Sequence, residues 1–199
     1  MKVKITLNEE MLGMTPVNQD IYRDYIASKA PDAASTEEEV ASLGVDAVEE
    51  KGVTVFPKMA DGTPFLWDYQ IKGFFKDSCQ MLQKAGKSGY KGGKACAALK
   101  AYKKYIDGNL FIFPRQIPIK VNGDMGYCSR PLRAMTMQGE RVSLAKSETV
   151  PAGSEIEFEV TILGDTLDGM VRECLDYGEM RGLGQWRNSG KGVFSWEEI

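Results

Sequence analysis

Four glycines and two cations alternate near the end of the chain: Gly182-Leu183-Gly184-Gln185-Trp186-Arg187-Asn188-Ser189-Gly190-Lys191-Gly192, with Arg181 just ahead. Glycine lets the backbone reach positive φ and lets another chain approach closely. Successive N–H groups in such a turn form a nest for an anion, and flanking Arg and Lys add charge and donors. The chemistry these types suit is the cradling of a phosphate. A second reading stays open, in which the segment is a flexible loop joining a helix to a strand. Neither the GxGxxG order of a dinucleotide fold nor a P-loop GxxxxGKS/T occurs, which disfavours both.

Other residues could share that chemistry. From Lys72 to Lys104 there are nine lysines against one acid, Asp77. Lys72 and Lys76 stand one turn apart on the polar face of an expected helix. Arg130, Arg133 and Arg141 lie in a polar, loop-rich stretch where binding residues often sit. Trp186, Trp67 and Tyr69 have faces on which a base can stack, although Trp67 and Tyr69 serve equally well as packing. A lysine-bearing helix face is equally a plain solvated surface. Glu155, Glu157 and Glu159 alternate along a strand and read as a solvated sheet face that would repel phosphate.

Composition narrows the field. The net charge of −3 argues weakly against a polyanion partner, but the charges are segregated, so a local basic stretch can still hold one. With no histidine in the chain, no Ser-His-Asp triad, Cys-His pair or histidine-ligated metal site can be built. Cys79, Cys96, Cys128 and Cys174 are widely spaced without a CxxC pair, so they are expected to be reduced and buried rather than bridged or zinc-bound. No run of about 18 apolar residues exists, so no membrane span is expected. The chain starts on a strand-like pattern rather than a signal peptide, and a cytoplasmic setting is expected. No cofactor is called for.

The elements that must position these residues are legible by period. Val3, Ile5 and Leu7 alternate as a half-buried strand. Residues 18–50 read as an acidic helical insertion or lid, with a capping box at Thr36 to Glu39. Val53–Phe56 and Pro64–Leu66 flank a turn and suggest a hairpin. Asp68 can cap a helix with the stripe Ile71, Phe74, Phe75, Cys79 and Leu82. A basic loop (GKSGYKGG, 86–93) precedes a second helix with Ala95, Leu99, Tyr102 and Ile106 inward and Gly108 as its stop. Leu110–Phe113 reads as a buried strand, and 120–150 as a polar irregular stretch. Glu155–Ile162 is the clearest strand, followed by a helical stripe through Leu167, Met170, Val171, Cys174, Leu175 and Gly178. Strand, helix, glycine-rich loop and strand form the closing half of a split βαβ fold.

Three segments in order resemble the RAMP superfamily, the RNA-binding proteins of CRISPR effector complexes, and specifically the backbone subunits of type III complexes. They are Ile71-Lys72-Gly73-Phe74-Phe75-Lys76 at a helix start, Val150-Pro151-Ala152-Gly153 leading to Phe158, and the terminal glycine loop with its strand. The chain also resembles small proteins encoded in phages and prophages of Gram-positive bacteria, through its LWDYQIKGFFK, AYKK and GLGQWRN stretches. The RAMP resemblance implies a single domain over 1–199 of α+β class. That domain would be a ferredoxin-like or RRM-like antiparallel sheet with helices on one face, into which the acidic helical segment read at 18–50 is inserted. It implies RNA bound across the sheet and the glycine loop, with Gly184, Arg187, Gly190 and Gly192 matching that loop and Lys72 the helix start. The family's catalytic-aspartate loop after the first strand has no match in Glu9 to Asp20, so no catalytic residue is carried over.

The expected function is a non-catalytic, phage-encoded binder of a phosphate-bearing ligand in counter-defence. The ligand would be a nucleotide messenger sequestered as by a sponge, or RNA, with a homo-oligomer as one assembly this reading allows. Two alternatives stand. One is a metal-dependent ribonuclease of RAMP type using Asp20, Asp24 or the 37–50 acids. The other is a structural or interaction protein of phage replication or of a CRISPR-like complex.

Overall fold

The structure, a computed structural model, describes residues 1–16, 53–87, 93–136, 139–164 and 167–199. The expected insertion at 18–50, with Asp20, Asp24 and the 37–50 acids, lies outside them, as does most of the GKSGYKGG loop. In chain order the elements are β1 (Lys2–Leu7), β2 (Met11–Leu12), β3 (Thr15–Pro16), β4 (Val53–Val55), β5 (Phe65–Trp67), α1 (Asp68–Lys87), α2 (Lys94–Ala98), α3 (Tyr102–Asn109), β6 (Leu110–Phe113), β7 (Gln116–Lys120), β8 (Gly126–Thr136), β9 (Gly139–Val150), β10 (Glu155–Ile162), α4 (Asp168–Arg181) and β11 (Phe194–Glu198). They divide into two compact units. One comprises Met1–Met11, Pro57–Asp124 and Val150–Ile199; the other comprises Leu12–Phe56 and Met125–Thr149.

The first unit carries a sheet in the order β11-β1-β10-β7-β5, with β6 also paired to β10. All of these strand pairs are antiparallel. Taking β6 and β7 together as one broken strand, the sequence β1, α1, β6/β7, β10, α4, β11 is a βαββαβ unit with strand order 4-1-3-2. The chain is thus α+β and ferredoxin-like, as the sequence led us to expect. Period-two alternation builds it: Val3, Ile5 and Leu7 of β1 and Ile156, Phe158 and Val160 of β10 are buried. They share the core with Ile71, Phe74, Phe75, Cys79 and Leu82 of α1 and Met170, Val171, Cys174 and Leu175 of α4, all buried. Burying each large apolar side chain contributes about 1.5–3 kcal/mol. At the start of α1 the Gln70 side chain accepts the Trp67 N–H at 2.9 Å, one half of a capping box. Asp68 is the first helical residue, and its carboxylate accepts the Tyr69 N–H at 2.8 Å.

Four expectations need correction. The second helix is two helices, because Leu99 is extended and Ala101 is left-handed at φ 52°; the Leu99 carbonyl accepts a bond from the Gln83 side chain instead of an amide of its own helix. Leu110–Phe113 is only half-buried: Leu110 and Ile112 face the core, whereas Phe111 and Phe113 are exposed. The polar stretch 120–150 is largely a long hairpin, β8 on β9, registered from Gly126↔Thr149 to Thr136↔Gly139. The hairpin expected around 60–63 keeps its turn, with Met59 N–H donating to the Thr63 carbonyl at 2.8 Å. Its strands part, however: β4 runs parallel to β9, and β5 pairs with β7.

In the second unit a buried carboxylate organises the sheet. Glu148 accepts the Phe56 N–H at 2.9 Å through its side chain. Its carbonyl accepts the Gly13 N–H at 2.8 Å. A hydrogen bond of 2.8 Å joins the Thr54 and Ser147 hydroxyls across the β4–β9 pair.

Gly178 marks where α4 meets the sheet. A Cβ there would strike the Phe194 ring and stand 2.8 Å from the Phe74 ring, and both rings are buried. Gly178→Ala is expected to destabilise the protein by about 1–3 kcal/mol, the range for overpacking a filled core. Urea unfolding measures it, and an unchanged midpoint would contradict this packing.

Candidate functional site

The terminal glycine loop is a joint held by its own backbone. After α4, the Gly182 N–H donates to the Gly178 carbonyl at 2.8 Å and the Leu183 N–H to the Gly192 carbonyl at 2.8 Å. Residues Arg187–Ser189 make a 3-10 turn. The Gly190 N–H donates to the Arg187 carbonyl at 3.0 Å, and the Gly192 N–H to the Glu10 carbonyl at 2.8 Å. These four amides are committed to backbone carbonyls. Gly192, at φ 72°, lies so close to Leu183 that a Cβ would fall on its carbonyl oxygen. Gly190, at φ 82°, faces open space.

The cations of the loop are engaged as well. Arg187 pairs with Asp77 of α1 at 2.7 Å, and Lys191 with Glu10 at 2.7 Å. The Arg181 guanidinium donates to the Asn188 side chain. Trp186, left-handed at φ 54°, is 41% exposed. Gly184 is half-buried within the same loop.

On α1, the Lys72 ammonium donates to the Asp107 carbonyl at 3.1 Å and stands 5.2 Å over the Phe111 ring. Lys76 pairs with the Asp107 carboxylate. Asp107 belongs to α3, and the lysine count of the sequence stopped just short of it. The neighbouring helices differ: Lys94 of α2, Lys100, and Lys103 and Lys104 of α3 are exposed. Their side chains make no hydrogen bond or ion pair among the described residues. Near the start of α1, Trp67 stacks on Tyr69 at an interplanar angle of 14°, and the Arg115 guanidinium lies 5.8 Å over the Trp67 ring.

The three arginines of the polar stretch belong to the other unit. Arg130 is a half-buried residue of β8. Arg133 and Arg141 occupy adjacent rungs of the β8–β9 ladder, Arg133↔Val142 and Ala134↔Arg141, and their side chains lie outside the description. Lys72, Lys76 and the loop residues 184–192 all fall in the first unit.

The sheet face away from the helices is not purely acidic. Lys4 reaches Glu155 at 2.9 Å and Glu197 at 3.5 Å, and Lys120 reaches Glu155 at 3.0 Å. The Glu155 carboxyl is held below its ordinary value by hydrogen bonds from Lys4 and then Lys120. The Pro151–Ser154 motif closes a turn against the end of β1: the Gly153 N–H donates to the Leu7 carbonyl at 2.7 Å and the Leu7 N–H to the Ser154 carbonyl at 2.9 Å. All four cysteines are free thiols; Cys79, Cys96 and Cys174 are buried and Cys128 is half-buried. Among the described residues no group of three His, Cys, Asp or Glu side chains is placed to hold a metal ion, and no helix is long and apolar enough to cross a membrane.

No protein-family model matches the chain, and no curated protein does. Among solved structures it is similar to a chain of the type III-B Cmr-beta complex bound to cognate target RNA, with a TM-score of 0.53 and 13% identity. The match covers 100% of this chain and 58% of that one, so the protein spans somewhat over half the length of that neighbour. The likeness is one of fold, and it agrees with the ferredoxin-like architecture.

Two outcomes test this geometry. Gly190→Ala is expected to cost about 1–2 kcal/mol, the left-handed penalty alone. Gly192→Ala adds displacement of the Leu183 carbonyl, for about 2–5 kcal/mol in all; equal losses in urea unfolding would contradict the close crossing. A carboxylate NMR titration should place Glu155 below the usual glutamate range and move it back toward that range in Lys4→Met. The stabilising contribution of the Glu155 pairs is therefore present above the ordinary glutamate range and lost as pH falls through the lowered value.

Proposed function

We propose that the protein binds RNA without cleaving it, holding the phosphodiester backbone along the lysine-bearing surface of α2 and α3, with α1 beside it. The observation that carries this reading is the set of exposed ammonium groups at Lys94, Lys100, Lys103 and Lys104, which have no ion-pair partner among the described residues. A phosphate meeting these lysines displaces counterions and breaks none of the described ion pairs. At Arg187, Lys191 or Lys76 it must compete with Asp77, Glu10 or Asp107. Those three residues are best assigned to the margin of the site, where they orient the loop and α1. Trp67, Tyr69 and Arg115 offer flat faces near the start of α1 for an unstacked base. The RNA-bound complex that contains the structural neighbour adds fold-level support.

Within this proposal an extended polyanion is preferred over a compact nucleotide messenger. A sponge calls for an enclosed basic pocket, whereas the hollows of about 570 and 420 Å³ are mainly apolar and each sets two glutamates against one lysine. The non-catalytic part rests on the sequence, which has no histidine and no match to the family's catalytic-aspartate loop. A counter-defence role in a phage setting belongs to the proposal through the resemblance to phage-encoded proteins.

Fluorescence anisotropy with labelled single-stranded RNA tests it. The logarithm of affinity should fall with the logarithm of salt at about 0.7 per phosphate contact. Lys103→Glu with Lys104→Glu should weaken binding and flatten that slope by about 1.4, two contacts' worth. The RNA should stay intact through hours with magnesium or manganese. A double variant that binds like the wild type, or reproducible cleavage, would overturn the reading.

A further inference from the structure

The second core strand leaves its neighbour part-way. β6 pairs with β10 from Leu110↔Ile162 to Phe113↔Glu159, and β7 rejoins β10 only at Ile119↔Ile156 and Lys120↔Glu155. In between, Gln116, Ile117 and Pro118 pair with β5 instead. Residues 114–118 therefore stand opposite only Glu157 and Phe158 of β10. An interruption of this kind bends a strand and re-aims its side chains.

On either side of that break lie two hollows. One, of about 570 Å³, has Pro64, Pro118 and Ile119 in its wall together with Glu155, Glu157 and Lys120. The other, of about 420 Å³, has Phe113, Pro114 and Ile199 beside Glu157, Glu159 and Lys2, the cross-strand neighbour of Glu159. Glu157 lines both. The second wall is markedly apolar for a surface, with Phe113 51% and Ile199 56% exposed. Glu155 is neutralised by Lys4 and Lys120. The side chains of Glu157 and Glu159 have no hydrogen-bond or ion-pair partner among the described residues.

Apolar walls that end in unpartnered carboxylates match a long cationic side chain, which has an aliphatic stem and a charged head. We propose that this face docks a basic segment of a partner protein. Its Lys or Arg stems lie along Phe113, Pro114 and Ile199 and along Pro64 and Pro118, and their heads reach Glu157 and Glu159. An arginine over Phe113 gains a cation–π contact, and its fork suits a carboxylate. In that wall the two glutamates outnumber Lys2, so the balance of charge favours a basic polypeptide and disfavours RNA, whose phosphates the glutamates repel. The site is independent of the lysine surface of α2 and α3.

The test is an amide chemical-shift titration of the labelled protein with a synthetic peptide of alternating arginine and leucine, and with its glutamate–leucine counterpart. The basic peptide should shift residues 157–159 of β10 and 113–114 of the β6 end. Its Kd should rise tenfold or more in Glu157→Gln/Glu159→Gln, with thermal unfolding unchanged because both residues are exposed. Phe113→Ala should weaken it in the same direction. Equal binding of the acidic peptide, shifts confined elsewhere, or an unaffected double variant would overturn the proposal. So would concentration-dependent shifts of β10 without peptide, which would make a second copy of the chain the occupant, or shifts of β10 by single-stranded RNA.

Discussion

The fold of the first unit is closed at the carboxyl end of β1. β1 is paired on both sides, to β10 and to β11. Its end is then gripped twice more. The Leu7 amide and carbonyl bond to the Pro151–Ser154 turn, while the Asn8 and Glu9 amides donate to the Val193 carbonyl at 2.8 and 3.1 Å. Glu10 accepts the Gly192 amide through its backbone and holds Lys191 through its carboxylate. Two motifs far apart in sequence thus meet on one strand end. The helix that carries the third, α1, joins them through Asp77, the residue after that motif, and Arg187. The spacing that suggested a phosphate cradle is required first by this joint.

That constraint divides the cations into two populations. Those nearest the glycine loop are tied to acids, and each such half-exposed pair contributes only about 0–1 kcal/mol to stability. Their value is positional: they fix a loop that carries several left-handed residues and an exposed tryptophan. The lysines of α2 and α3 make no ion pair among the described residues. A polyanion is drawn to uncompensated charge, which is why the proposed RNA surface is placed on them rather than on the glycine loop.

Much of the core was legible because its elements bury one face. β1, β10, α1 and α4 show clean periods of 2 or 3.6, and their buried residues are the ones those periods select. The misreadings have physical causes. The break between α2 and α3 occurs at Leu99 to Ala101, where neither glycine nor proline announces it, and Ala101 accepts a left-handed conformation. The β8–β9 ladder is invisible to a hydrophobic period because rungs such as Ser129↔Lys146 pair polar residues. In Leu110–Phe113 four apolar residues in a row conceal an alternation in which two phenylalanines face outward. The partners of Arg187, Lys191 and Lys76 are 110, 181 and 31 positions away in number, and no local pattern reports them.

The outward phenylalanines show how the two faces of the first unit differ in kind. A ferredoxin-like sheet covered by helices on one side leaves its other side to be filled by whatever residues alternate outward. Along β10 these are glutamates, and along β6 they are aromatic. Had both strands run unbroken, aromatic and acid would form two plain parallel rows. The departure of β7 toward β5 opens the space between them and leaves Glu157 standing between two hollows. The helical side, by contrast, carries exposed lysines on α2 and α3. Under the two proposals above, a polyanion would meet that basic side and long basic side chains the hollowed one. The alternation that builds the core thus also sets which side chains the open sheet face has to offer a partner.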